Sequence, residues 1–294
     1  MNKKGLTISM IFEAESANYG EGVGNVTALK KMTRGDGESF SYISRQALRY
    51  NIVEQMKVND TPLNVDGTVI QFHPDATIED YAEIDLFGYM KTTKPTRTRS
   101  AVVRLSNAIS LESFQTDVDF LTNKGLLDRY NEGCEEKDKK DGGNIAQSEI
   151  HKSYYAYTIA IDLDEVGVDK KDNVRISNEI RKNRVNSLLQ VIKFLYRDIK
   201  GRRENLSPIF VIGGVYDVKN PFFENRLKIK NNNLSVKTIT DILDLDVQIK
   251  AHTQIGYVKG IFDNDYVFEE QLNTVSVGTF FEQLQDKVAE YYSE

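Results

Sequence analysis

The sequence predicts an α+β fold of ferredoxin-like order, and three alternating runs with two amphipathic helices between them carry that reading. Leu6, Ile8, Met10 and Phe12 alternate with Thr7, Ser9 and Ile11 near the start, the period of two of a strand. A second run, YYAYTIAIDL, sets Tyr155, Tyr157, Ile159, Ile161 and Leu163 on one face. The third, PIFVIGGVYDV from residue 208, holds Gly213 and Gly214, which mark a bend or a close backbone approach. Of the helices, ISRQALRYNIVEQM (43–56) starts with Ser44 as N-cap. SNEIRKNRVNSLLQVIKFLYRDIKG (177–201) aligns Val185, Leu188, Leu189, Ile192, Leu195 and Ile199 and ends on Gly201. Strand, helix, strands, strand, helix, strand is the order of a split βαβ sheet. Residues 247–259 read as a further hairpin, and TFFEQLQDKVAEYY as a C-terminal helix.

Two segments fall outside that core. Residues 58–87 are loop-rich and acidic, and residues 108–153 contain KDKKDGGN, a mobile tip by composition. Both read as insertions into one elaborated domain spanning 1–294, with no internal repeat or long low-complexity linker.

Composition narrows the function classes. No apolar run approaches the ~20 residues of a membrane span. MNKKGLTISM has two lysines but no apolar signal core, which points to the cytoplasm and away from a membrane. The single cysteine, Cys134, has no disulfide partner, and His73, His151 and His252 lack a neighbouring Cys or His at ligand spacing, so neither a metal nor a His-dependent triad is expected. The net charge of −6 argues against a nucleic-acid partner only if charge is evenly spread. Screening confines charge interactions to ~8–10 Å, so the local patch decides. MKTTKPTRTRSAVVRLSN (90–107) carries Lys91, Lys94, Arg97, Arg99 and Arg104 and no acid, whereas acids gather in DATIEDYAEID, CEEKDKKD and DILDLD. We read the basic stretch as functional and the mixed run at 135–141 as a solvated face.

After the first strand comes ANYGEGVGNV, with Gly20, Gly22 and Gly24 at alternate positions. A dinucleotide fingerprint needs G-x-G-x-x-G at a strand-to-helix turn. Here the spacing is G-x-G-x-G, and TALKKM runs into the breakers RGDGES before a helix can form. That mismatch leaves the dinucleotide reading as the weakest of three, behind a flexible connection and a loop whose amides approach an extended phosphate chain, aided by Lys30, Lys31 and Arg34. In SYISRQALRY, Arg45 and Arg49 share a face beside Gln46, behind the Ser44 cap. Dipole, free amides and forked donors there suit consecutive phosphates, although a pair of solvated arginines has the same spacing.

NYGEGVGN, SRQALRY, DLFGYM (85–90) and RSAVVRLSNAIS (99–110) together resemble the Cas-seven family of CRISPR-associated backbone proteins, in its DevR-like, type I-B branch, in order from residue 6 to about 216. The resemblance implies an RRM-like palm, with the fingers inserted at 58–87 and a thumb insertion at 108–153, the thumb itself comprising roughly Leu111 to Lys152. It implies that Ser44, Arg45, Gln46 and Arg49 hold guide-RNA phosphates, and that Asn18, Tyr19, Gly20, Gly22, Gly24, Asn25 and Lys30 line the RNA groove. Arg97, Arg99, Arg104 and Asn107 extend that groove, and Phe114, Phe120 and Leu121 become candidates to wedge into the guide–target duplex. The sequence lacks the aromatic signature by which an ordinary RRM stacks bases.

The function expected on this basis is a non-catalytic, multi-copy subunit of a Cascade complex. It needs no cofactor and polymerises head to tail along a CRISPR RNA, beside other Cascade subunits, to present that RNA to target DNA. Two rivals stand beside it. A type III-like subunit would cut target RNA with metal at Asp117 or Asp119 in FQTDVDF, and a nucleotide-binding enzyme would use the Gly20/Gly22/Gly24 loop.

Overall fold

The computed structural model describes residues 3–142 and 145–293. The end of the expected mobile tip at 143–144 lies outside the described residues. The central elements, in chain order, are β1 (Gly5–Ala14), α1 (Arg45–Met56), β2 (Ala108–Ser110), β3 (Ser153–Asp162), α2 (Asn178–Lys193) and β4 (Phe210–Tyr216). β5 (Thr253–Tyr257), β6 (Thr274–Ser276) and α3 (Val277–Ser293) follow.

β1 is buried on both faces except at Glu13, and it lies between β3 and β4, antiparallel to each. Its register with β3 is unbroken from Gly5↔Asp162 to Ala14↔Ser153. The nine-stranded sheet runs β6-β5-β4-β1-β3-β2, then Ser39–Ile43 and Lys31–Thr33, with Val103–Leu105 also on β3. The alternation in β1 sorts its side chains. Leu6, Ile8, Met10 and Phe12 join one core with Leu48 and Ile52 of α1, Leu188 and Ile192 of α2, and Phe280 and Leu284 of α3. Ile11 points the other way, into a second core with Phe210, Ile212 and apolar residues between 223 and 272. At Gly213 a Cβ would stand 2.0 Å from the Thr7 carbonyl oxygen, so the close approach read from the sequence is real.

Three local expectations change. The helix expected over 177–201 ends at Lys193, and Tyr196–Ile199 pairs with Arg202–Asn205 as a hairpin turning on Lys200 and Gly201, both at positive φ. Leu195 keeps the helical spacing, but Arg197 pairs with Glu204 across the hairpin in a buried bridge at 2.6 Å that a helix could not make. Residues 247–259 are not a hairpin: Asp246 caps a short helix, Val247–His252, by accepting the Gln248 N–H at 2.7 Å, and β5 then pairs with β4. Within 108–153, Ala108–Ser110 and Ser153 belong to the central sheet, so the excursion proper is 111–152. It consists of Asp117–Thr122 paired with Ile145–Ile150 and the helix Lys124–Glu132 between them.

The segment 58–87 sends out a hairpin, Leu63–Asp66 with Val69–Phe72, and returns through a short helix, Ala82–Phe87, whose Leu86 and Phe87 enter the main core. That helix is locked by Asp85. Its fully buried carboxylate takes Arg99 at 2.7 Å, Arg184 of α2 at 2.8 Å and the Gly167 N–H at 2.8 Å. Gly88 follows at φ 76°, where a Cβ would come within 2.5 Å of the Arg99 carbonyl oxygen. DLFGYM is therefore a packing motif: acid, apolar pair and glycine fix one helix end against α2. Removing the acid strands two guanidiniums, one buried and one nearly so, and breaking such a pair costs roughly 3–5 kcal/mol. Asp85→Ala should lower the urea midpoint accordingly, with an unchanged m-value.

Candidate nucleic-acid interface

The glycine segment is a β-hairpin. Tyr19–Val23 pairs with Val26–Leu29 around a turn with Gly24 at φ 61°, interrupted by a bulge between Tyr19 and Gly22. No helix follows it, so the strand-to-helix turn that a dinucleotide site requires is absent here. The hairpin does not stand alone. Val26 and Thr27 pair in parallel with Gln147 and Ser148, and the Gln147 N–H donates to the Asn25 carbonyl at 2.9 Å. Glycine hairpin and excursion thus form one four-stranded sheet. Glu149 reinforces it by accepting from the Leu29 N–H and from Lys31 Nζ, both at 2.8 Å.

Both the exit of β1 and the entry to β2 converge on the amino end of α1. Asn18 Oδ1 accepts from Ser44 N–H at 3.2 Å and Ser44 Oγ–H at 2.8 Å, while Ser44 Oγ accepts the Ala47 N–H at 3.3 Å as N-cap. Asn107 Oδ1 accepts the Arg45 N–H at 2.9 Å. Asn18 and Asn107 therefore satisfy backbone amides at the helix start and hold it in place. Arg45 and Gln46 point from it into solvent, and Arg45 has no ion pair among the described residues. Beside them lies a groove of about 330 Å³ lined by Arg45, Gln46, Arg49, Phe87, Val103, Arg104 and Leu105, with Ala101 at its end. Its rim is cationic and its floor apolar.

The other cations fall into three groups. Lys30, half-buried beside Gly20, forms no ion pair among the described residues. Arg49, Arg104 and Arg97 reach the surface but are each paired, to Glu83 at 3.1 Å, Asp162 at 2.7 Å and Asp172 at 3.2 Å. Glu83 is pushed up by burial, against the pull of Arg49. Arg99 is corrected: its side chain is 7 % exposed, and besides the Asp85 carboxylate it donates to the Glu165, Asp85 and Val168 carbonyls, so it packs inside rather than lining the groove. Lys91 of the same basic stretch is also buried, on the Pro74 and Ala76 carbonyls. A run without acids in sequence met its acids in space, from Asp85, Asp162 and Asp172.

The three wedge candidates divide likewise. Phe120 and Leu121 are 62 % and 69 % exposed on the excursion. Phe114 packs against the main core, under Lys31 Nζ at 4.3 Å and edge-on to His151 at 5.3 Å, so it is a hinge-side anchor rather than a tip. Asp117 and Asp119 alternate with Val118 and Phe120 on an exposed strand, and no group of three or more His, Cys, Asp or Glu among the described residues is placed to hold a metal ion. The sequence reading missed Lys200, whose Nζ lies 4.7 Å from the centre of the Tyr19 ring. Its signal, the basic run KGRR, was hidden because Gly201 read as a helix end.

The sequence model of the family described as "CRISPR-associated negative auto-regulator DevR/Csa2" matches residues 6–235. The chain belongs to the DevR/Csa2 family of CRISPR-associated proteins. Its fold is also that of two solved chains. One, from a "CRISPR RNA-guided surveillance complex, pre-nicking", aligns with a TM-score of 0.65 over 97 % of this chain and 99 % of that one, at 10 % identity. The other, from a "CRISPR RNA-guided surveillance complex", gives 0.57 over 88 % and 91 %, at 14 %. At such identities the likeness is one of fold. No curated protein matches the chain. Among the described residues no helix is long and apolar enough to cross a membrane.

His151 closes the base of the excursion, with its N–H donating to the Glu15 carbonyl at 2.8 Å and Nδ1 2.7 Å from Ser41 Oγ. Burial pushes its pKa below the usual value, against smaller upward pulls from Glu112 and Asp117. The folded state therefore favours neutral imidazole, and its contribution is present above pH ~6.5 and lost as pH falls below it. Urea midpoints at pH 7 and pH 5 should fall further apart in the native protein than in His151→Gln.

Proposed function

We propose that this DevR/Csa2-family protein is a non-catalytic, multi-copy backbone subunit of a type I CRISPR surveillance complex, which binds guide RNA along a helical filament and presents it to target DNA. The observation that carries it is the amino end of α1, where Arg45 and Gln46 stand exposed over an apolar-floored groove and Asn18 brings Tyr19 and Lys30 of the glycine hairpin alongside. In this reading the central sheet with α1 and α2 is an RRM-like palm, the hairpin at 63–72 a finger, and the excursion 111–152 a thumb with Phe120 and Leu121 at the duplex. In this reading the central sheet is not a stacking platform. Ile11, Phe210 and Ile212 on its second face are already covered, which leaves phosphate contacts to supply the binding. Cytoplasmic residence, with other Cascade subunits as neighbours, completes the proposal.

Arg45 and Lys30, unpaired among the described residues, are the side chains free to replace counterions. Each phosphate contact contributes about −0.7 to the slope of log affinity against log salt for single strands, so Arg45→Ala with Lys30→Ala should flatten that slope by about 1.4, equally for unrelated RNA sequences. An unchanged slope, or a loss confined to certain bases, would count against phosphate binding at this site.

A further inference from the structure

The hairpin Tyr196–Asn205 interrupts what the sequence presents as one long helix, and it is clamped where β1 hands the chain to the glycine hairpin. Glu204 accepts the Glu15 and Ser16 N–H groups at 2.9 and 3.1 Å, while Arg197 donates to the Ser16 carbonyl and Arg202 pairs with Glu15. The three hairpin arginines are consumed in this clamp or beside it: Arg197 on Glu204 at 2.6 Å, Arg202 on Glu204 at 2.8 Å, and Arg203 on Asp198 at 2.8 Å. Lys200, at the exposed tip, is the one hairpin cation without a carboxylate among the described residues. Its Nζ is instead held over the ring of Tyr19, one residue from Gly20, whose Cβ position lies 3.7 Å from Lys30 Cγ.

We infer that this tip is a second wall of the nucleic-acid path, in which Lys200, positioned by Tyr19, takes a backbone phosphate next to those held at Lys30 and Arg45. The inference rests on the RNA-binding reading above and adds an element from the far half of the chain. Three features favour an RNA phosphate as the occupant. The lysine is exposed, it belongs to the same surface as the glycine hairpin, and the folded hairpin neutralises every neighbouring arginine while leaving this charge. A cation over an aromatic face keeps its outward N–H donors, so the ring contact orients the ammonium without satisfying it. A lone phosphate contact by lysine is a point-charge interaction, and therefore sequence-independent.

The test separates charge from packing. Lys200→Met preserves an apolar arm and a sulfur–ring contact with Tyr19 but deletes the charge, while Lys200→Arg keeps the charge. We expect Lys200→Met to flatten the salt slope of single-stranded RNA binding by about 0.7 and Lys200→Arg to restore it, with the same thermal midpoint in all three proteins. Acetylation of Lys200, read by mass spectrometry on the intact protein, should fall when RNA is bound. A native slope in Lys200→Met, with Arg45→Ala still flattened, overturns the second wall and leaves the first standing. Native slopes in both overturn the RNA reading as well. A loss in Lys200→Met that Lys200→Arg does not restore assigns the lysine to packing and also overturns the inference.

Discussion

The start of α1 is fixed from two directions, and the candidate interface depends on that constraint. Asn18 reaches it from the exit of β1 and Asn107 from the entry to β2, so the helix end is registered to the central sheet on both sides. The sequence separation between these two asparagines spans the whole finger segment, yet their carboxamides meet consecutive residues, Ser44 and Arg45. Once the helix start is held, Arg45 and Gln46 can only project outward, and the glycine hairpin, tied through Asn18, can only lie beside them. The site is thus built from backbone amides satisfied by side chains, with the cations as its outermost layer.

A second consequence concerns charge. The chain is acidic overall, and several cations that look free in the sequence are matched by carboxylates from distant segments, as Arg49 is by Glu83, Arg97 by Asp172 and Arg104 by Asp162. Asp85 alone accounts for Arg99 and Arg184, and Glu204 for Arg197 and Arg202. Around the α1 start, Lys30, Arg45 and Lys200 have no carboxylate partner among the described residues. In the proposed reading, acidic surroundings would disperse copies in the absence of a polyanion, and these few cations would set where a polyanion lies. The shared sheet of glycine hairpin and excursion adds a mechanical link, because Gln147 and Ser148 are paired through backbone with Val26 and Thr27.

Much of this was legible in the sequence. β1, β3 and β4 follow their period-two runs, and Ser44 caps α1 where its spacing places it, because strand alternation and capping are local signals. Asn18, Ser44, Arg45, Gln46, Arg49, Arg104 and Asn107 do come together. What failed is non-local. Arg99 and Lys91 looked like surface charge because Asp85 and the carbonyls of Pro74 and Ala76 that bury them come from other segments. Phe114 looked like a thumb residue because its packing partners lie in strands far along the chain. The helix at 178–193 was read too long because Leu195 continues its stripe, while the force that breaks it is a hairpin pair with Glu204 and the backbone of Ser16.

The central claim, that this chain assembles along RNA, is most directly tested by sedimentation velocity of the protein with single-stranded RNAs of increasing length. The account predicts small species without RNA and, with RNA, complexes whose subunit number rises in steps as the strand lengthens. A complex of fixed stoichiometry at every RNA length, or one that forms equally well without RNA, would contradict it.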